Sequence, residues 1–106
     1  MIRSVLHLRP RAGRSTDIVD FYRRYHVLER ASRQEGFISS ELQLPIHGEG
    51  DVLVTALWRD ADAYKGWLEN PDRALHTDEL AELVEDFHAG VSGETYEIVL
   101  DERGER

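Results

Sequence analysis

Cysteine is absent from the 106 residues. That removes disulfide frameworks, thiolate nucleophiles and thiolate-bound metals, although it does not fix the compartment. Long apolar runs are missing as well. Nothing approaches the ~20 consecutive apolar residues that a membrane span needs, and the opening stretch has no apolar run ending in a cleavable small-residue site. The expectation is a cytoplasmic protein with no membrane partner. Internal repeats, low-complexity tracts and linkers are also missing, and the length suits one hydrophobic core, so a single domain over 1–106 is expected. Basic charge is in short supply: 13 Lys and Arg against 21 Asp and Glu leave a net charge of -8. Binding to phosphate backbones needs the opposite sign, so no nucleic-acid partner is expected.

The deficit is uneven. Residues 1 to 34 hold eight arginines against Asp17, Asp20 and Glu29, a balance of +5, whereas the remainder holds five basic and eighteen acidic residues, a balance of -13. Such asymmetry suits a solvated surface that keeps the chain soluble, or a contact between two copies. Glycine-rich loops of the GxGxxG or Walker type do not occur, nor does HExxH or any histidine pair at i, i+4. No nucleotide cradle and no metal site is expected.

What is present reads as an alternation of strands and helices. Ile2, Ser4, Leu6 and Leu8 alternate with Arg3, Val5, His7 and Arg9, a strand that stops at Pro10. After the turn "RAGRST", Ser15 or Thr16 can cap a helix whose stripe is Ile18, Phe21, Tyr22, Tyr25, Leu28 and Ala31, with Gly36 as its stop. "FISSELQLPI" and "DVLVTALW" form a hairpin around the loop His47 to Gly50. Asp60 can cap a helix carrying Ala63, Tyr64, Trp67 and Leu68, and Asn70-Pro71 ends it and suits the start of another. That last helix is expected to run to about Phe87 through Leu80, Leu83 and Val84, before "GETYEIVLD" closes the fold as a strand. Residues 101–106 are expected to be a disordered tail.

The order β-α-β-β-α-β predicts an α+β, ferredoxin-like domain: an antiparallel four-stranded sheet with its helices on one face. In the third strand Val52, Leu53, Val54, Ala56, Leu57 and Trp58 make an apolar run broken only by Thr55, as if buried on both sides. Two helices cover one face. A second copy is the simplest cover for the other, so a two-fold homodimer is expected, its sheets packed together or joined into a barrel.

Helical spacing places His76 on the stripe of Leu80, Leu83 and Phe87, hence inward. Tyr64 and Trp67 share a face of the preceding helix, so an imidazole and an aromatic wall can line one cavity. The same residues can equally be core. His7 shares a strand face with Val5 and is a second polar candidate, with surface or dimer contact as its alternative. His26, His47 and His88 are expected to face solvent.

The segment "VLVTALWRDADAYKGWLENPDRALH" resembles the signature region of the antibiotic biosynthesis monooxygenase superfamily, and "TYEIVLD" is similar to its closing strand. That resemblance implies a dimeric α+β barrel. Its members include cofactor-independent oxygenases of aromatic polyketides, quinol monooxygenases, haem-degrading oxygenases and proteins with no established reaction. In the haem degraders a histidine after the helix break ligates iron and a tryptophan on the preceding helix ruffles the porphyrin. Trp67 and His76 match those positions, while His7 stands where that branch carries an asparagine. The cofactor-free branch implies a monooxygenase of secondary metabolism that uses O2 on a bulky aromatic, anthrone- or quinol-type metabolite. There the substrate itself is the reductant, and the protein need only deprotonate it and stabilise the anion. His76 or His7 would act as base, since an imidazole titrates near neutrality. Trp67 and Tyr64 would stack on the ring and the Tyr64 hydroxyl would hydrogen-bond the developing oxyanion, with Leu80, Leu83 and Phe87 completing the wall. Haem bound through His76, and a non-catalytic dimer that binds a small molecule, are the alternatives.

Overall fold

The computed structural model describes residues 1–88 and 90–105. Four strands, β1 (Ile2–Leu8), β2 (Phe37–Gln43), β3 (Val52–Trp58) and β4 (Glu94–Glu97), form one sheet in the order β2-β3-β1-β4. Every neighbouring pair is antiparallel. The expected ferredoxin-like arrangement is present. Its helical segments are α1 (Ser15–Arg24), α2 (Val27–Ala31), α3 (Ala61–Glu69), a single 3-10 turn at Pro71–Ala74, and α4 (Thr77–Ala81).

The two expected long helices are each broken, and each break falls at a histidine. His26 has φ 52° and His76 has φ 64°, the left-handed region that costs a side-chain-bearing residue roughly 1–2 kcal/mol. At the first break, Arg30 turns back and donates its Nε–H to the Tyr25 carbonyl at 2.9 Å, which satisfies an acceptor that the interrupted helix leaves behind. At the second, the chain turns through the 3-10 segment before α4 begins. The helix expected to reach Phe87 ends at Ala81 because the following backbone pairs elsewhere. Arg11 N–H donates to the Leu83 carbonyl at 2.9 Å and Glu85 N–H to the Arg9 carbonyl at 2.8 Å. Neither Ser15 nor Thr16 caps α1. Arg14 stands at that position, its Nε 2.5 Å from Asp17, and the opposite charges Asp17 at the start and Arg23 and Arg24 at the end suit the helix dipole. Asp60 caps α3 as expected, accepting from Ala63 N–H at 2.9 Å.

Strand ends also differ from expectation. β2 stops at Gln43, two residues before Pro45, which has no N–H to donate to a ladder. β4 spans only Glu94–Glu97, although Ile98 N–H still donates to the Met1 carbonyl at 3.1 Å. Residues 101–105 form no regular element; Arg106, the end of the expected tail, lies outside the described residues.

Two apolar clusters fill the space between helices and sheet. One joins Leu8, Ile18, Phe21, Val52, Leu80, Leu83 and Val84; the other joins Ala31, Ala56, Trp58, Ala63, Tyr64 and Trp67. Among the described residues the opposite sheet face carries no helix, yet Thr55 is buried there and Val5, Leu53 and Leu57 are half-buried. Gln43 accounts for part of this cover, since its Nε2 donates to Thr55 Oγ1 at 2.8 Å. No helix among the described residues is long and apolar enough to cross a membrane.

Candidate functional site

Where the two clusters meet, the inner sheet face and the helices leave a cavity. Its floor is Leu6, Val54 and Ala56, inward positions of paired strands, since Leu6 lies opposite Val54 in the ladder. Phe21 and Tyr22 of α1, Tyr64 and Trp67 of α3, Leu80 of α4 and Phe87 form the walls. The spacings 18, 21, 22 on α1 and 64, 67 on α3 turn these side chains toward the sheet. A concave, mainly apolar site with a few converging polar groups is the usual form of a small-molecule site.

Those polar groups are hydroxyls, two indoles and two guanidiniums. Trp58 Nε1–H donates to Ser4 Oγ at 3.0 Å, across a β1–β3 separation that both residues bury. The Tyr64 hydroxyl accepts from Gly93 N–H at 2.8 Å, which leaves its own hydrogen free to point elsewhere. Tyr22 is buried, and its hydroxyl joins none of the tyrosine hydrogen bonds among the described residues. Burial pushes the Tyr22 phenol up to about 12, with Arg73 pulling it partly back and Tyr64 adding slightly to the rise. It therefore stays protonated at neutral pH, a donor and not a base. Arg30 and Arg73 complete the lining from α2 and the 3-10 turn.

The Tyr22 shift carries a stability consequence with a definite sign. Because the folded value lies above the ordinary 10.0, its contribution is complete below pH ~10 and is lost as pH rises toward ~12, about 2–3 kcal/mol in all. Tyr22→Phe has no such proton to lose. Denaturant unfolding at pH ~9 and ~12 should show the wild type losing that much more than the variant; equal losses would place the Tyr22 hydroxyl in water.

Of the residues singled out from sequence, Tyr64, Trp67, Leu80 and Phe87 line the cavity. Leu83 packs in the first core cluster instead, 6% exposed. His76 does not point inward. It is exposed, and its ring lies on Tyr25 with centroids 3.8 Å apart and planes 16° from parallel. Its neighbours Leu75 and Thr77 line the cavity, so the left-handed turn at position 76 rotates this one side chain out of the lining. The Tyr25 hydroxyl bonds to Glu79, whose other oxygen accepts from Arg24 at 3.0 Å. His7 is also away from the cavity: it is exposed on the helix-free sheet face, 3.4 Å from Asp51. Odd positions of β1 face that side, and the period of two that pairs His7 with Val5 separates both from Leu6. His26, His47 and His88 are exposed, as expected. Sequence reasoning missed Ser4, Tyr22, Arg30 and Arg73 as lining residues. For Tyr22 a signal existed, its place on the stripe of Ile18 and Phe21; for the arginines none did.

A small α+β domain with one antiparallel sheet, helices on one face and an aromatic-walled cavity between them defines the class. A profile of the antibiotic biosynthesis monooxygenase family matches residues 1–76. The chain belongs to that family. No curated protein matches it significantly in sequence. Among solved structures, a candidate antibiotic biosynthesis monooxygenase from Deinococcus radiodurans is similar at a TM-score of 0.76 and 20% identity, covering 98% of this chain and 100% of that one. SnoaB, a cofactor-independent oxygenase from Streptomyces nogalater, is similar at 0.72 and 19%, covering 94% of each chain. The haem degrader MhuD from Mycobacterium tuberculosis, with two haems bound in its active site, is similar at 0.68 and 19%, covering 97% of this chain and 100% of that one. At these identities the likeness shows the fold alone.

Proposed function

We propose that the protein is a cofactor-independent monooxygenase of planar, electron-rich aromatic metabolites of the anthrone or quinol type, working as a homodimer. The single observation that carries this reading is the cavity's composition: aromatic and aliphatic walls with hydroxyl and guanidinium donors among them. Such a site suits a ring system whose oxygen becomes negatively charged. Triplet oxygen accepts one electron from an anion far more readily than from a closed-shell neutral molecule. Loss of a proton from an anthrone methylene, electron transfer to O2, radical recombination and loss of water convert the methylene to a carbonyl. One O2 is consumed and one water is formed.

In this scheme Trp67, Phe87 and Leu80 hold the ring, and the Tyr64 and Tyr22 hydroxyls donate to the developing oxyanion. His76, outside the lining but flanked by the lining residues Leu75 and Thr77, exchanges the proton. Leu83 supports the wall from behind. His7 takes no part in the cavity and belongs to the helix-free face, where Val5, Leu53 and Leu57 would meet a second copy.

The haem alternative asks His76 to reach an iron seated among these walls. With its ring flat on Tyr25 and outside the lining, the residues as placed do not fit that group, and no step is derived through it.

Oxygen uptake on a panel of anthrones and quinols tests the reading. His76→Ala is expected to lower turnover about a hundredfold with ring binding intact, and His7→Ala to leave it unchanged. A wild type that consumes no oxygen with any of them would favour a non-catalytic binding module. Hemin titration provides the complement: a saturable Soret band that vanishes in His76→Ala would replace the cofactor-free reading with haem chemistry.

A further inference from the structure

Arg30 and Arg73 stand out within the cavity for what holds them. Arg30 donates through Nε to the Tyr25 carbonyl at 2.9 Å and through Nη1 to the Asp72 carbonyl. Arg73 donates through Nη2 to the Val91 carbonyl at 2.5 Å. Main-chain carbonyls orient a guanidinium without cancelling its charge. None of the ion pairs among the described residues includes either arginine, whereas Arg14, Arg24 and Arg59 are each paired with a carboxylate. Both are only half-exposed. A partly desolvated charge with no counter-ion is costly, and here two share one cavity in a chain whose net charge is -8.

Each guanidinium has donors to spare, Nη2 on Arg30 and both Nε and Nη1 on Arg73, in the planar geometry that matches a carboxylate. The Tyr22 hydroxyl, within the field of Arg73, is a further neutral donor that joins no hydrogen bond among the described residues. From these groups and the apolar floor we infer that the substrate is an aromatic acid, its ring system against Trp67 and its carboxylate held between Arg30 and Arg73. As a statement about turnover this rests on the oxygenase reading above; as a statement about binding it stands without it. The same two charges favour ionisation of the ring hydroxyl or methylene beside them, which reduces what is asked of any base.

The test compares two ligands of one shape, anthracene-2-carboxylate and uncharged 2-(hydroxymethyl)anthracene, followed by quenching of the tryptophans, both of which line the cavity. The wild type should bind the acid about tenfold more tightly or better, and raising NaCl from about 0.05 M to about 0.5 M should weaken only the acid. Arg30→Gln and Arg73→Gln should each remove most of that preference while the neutral compound binds as before. Arg33→Gln, outside the lining, should keep it. Arg73→Lys retains the charge and so guards against a disturbed loop at Val91: it should keep part of the preference that Arg73→Gln loses. Equal binding of the two compounds by wild type, binding of neither, or a preference that survives in the Arg30→Gln, Arg73→Gln double variant would overturn the proposal. Acid preference without oxygen uptake on any substrate would sink the oxygenase reading alone.

Discussion

Trp58→Ala is expected to lower the free energy of unfolding by about 4 kcal/mol. Trp58 is 1% exposed, meets Phe37 edge-on at 5.3 Å and leans on Tyr64 at 5.5 Å. Its removal opens a void at the junction of sheet, α3 and cavity and leaves the buried Ser4 hydroxyl without its indole donor. Those losses add, because no neighbouring side chain is long enough to refill the space of an indole. For a domain of this size the loss is a large share of a total of roughly 5–15 kcal/mol. Urea denaturation measures it, and Trp58→Phe separates the parts: it keeps most of the packing and loses the Ser4 bond, worth about 1 kcal/mol. A cost below ~1.5 kcal/mol for the alanine variant would mean that the site collapses to fill the void.

Gly36→Ala should be nearly as damaging for a different reason. Gly36 has φ +86°, and a Cβ there would stand 2.5 Å from the Ala63 Cβ. The left-handed backbone costs alanine roughly 1–2 kcal/mol, and the contact forces backbone to move because neither methyl can rotate away. Together about 3 kcal/mol is expected, read as a fall in thermal midpoint of more than ~10 °C. The displaced element is α3, whose next residue is Tyr64. In surviving protein the variant should therefore also weaken ring binding in the cavity, and an unchanged midpoint would show that the chain passes Ala63 at a greater distance.

Period and punctuation made most of the architecture legible. The alternation of Ile2 to Leu8, the stripe of Ile18, Phe21 and Tyr22, the Asp60 cap and the Asn70-Pro71 break all have local causes, and all four elements lie where those causes put them. The breaks at His26 and His76 were not legible, because histidine, although enriched at positive φ, adopts it too seldom to announce a left-handed backbone. At the first, Arg30 captures the Tyr25 carbonyl five residues back, and the early end of α4 at Ala81 is tertiary, set by residues 83 to 85 pairing with residues 9 to 11. The site divides the same way. Tyr64, Trp67, Leu80 and Phe87 followed from helical spacing, whereas extending that spacing through position 76 turned the histidine inward when its backbone turns it out. Nothing local singles out Arg30 and Arg73, because their partners are carbonyls of residues 25, 72 and 91.

The order of strands also sets a timetable. β1 pairs with β3 across roughly fifty residues of chain and with β4 across roughly ninety, and such distant pairings close slowly because loop entropy is spent before contacts repay it. The carbonyl of Val91 and the N–H of Gly93, which aim Arg73 and Tyr64, sit just ahead of β4 and arrive with it. A chain that has built its helices and the β1–β3–β2 ribbon already owns the greasy part of the cavity, while the groups that choose among ligands are still unaimed. Adhesion is assembled first and discrimination last.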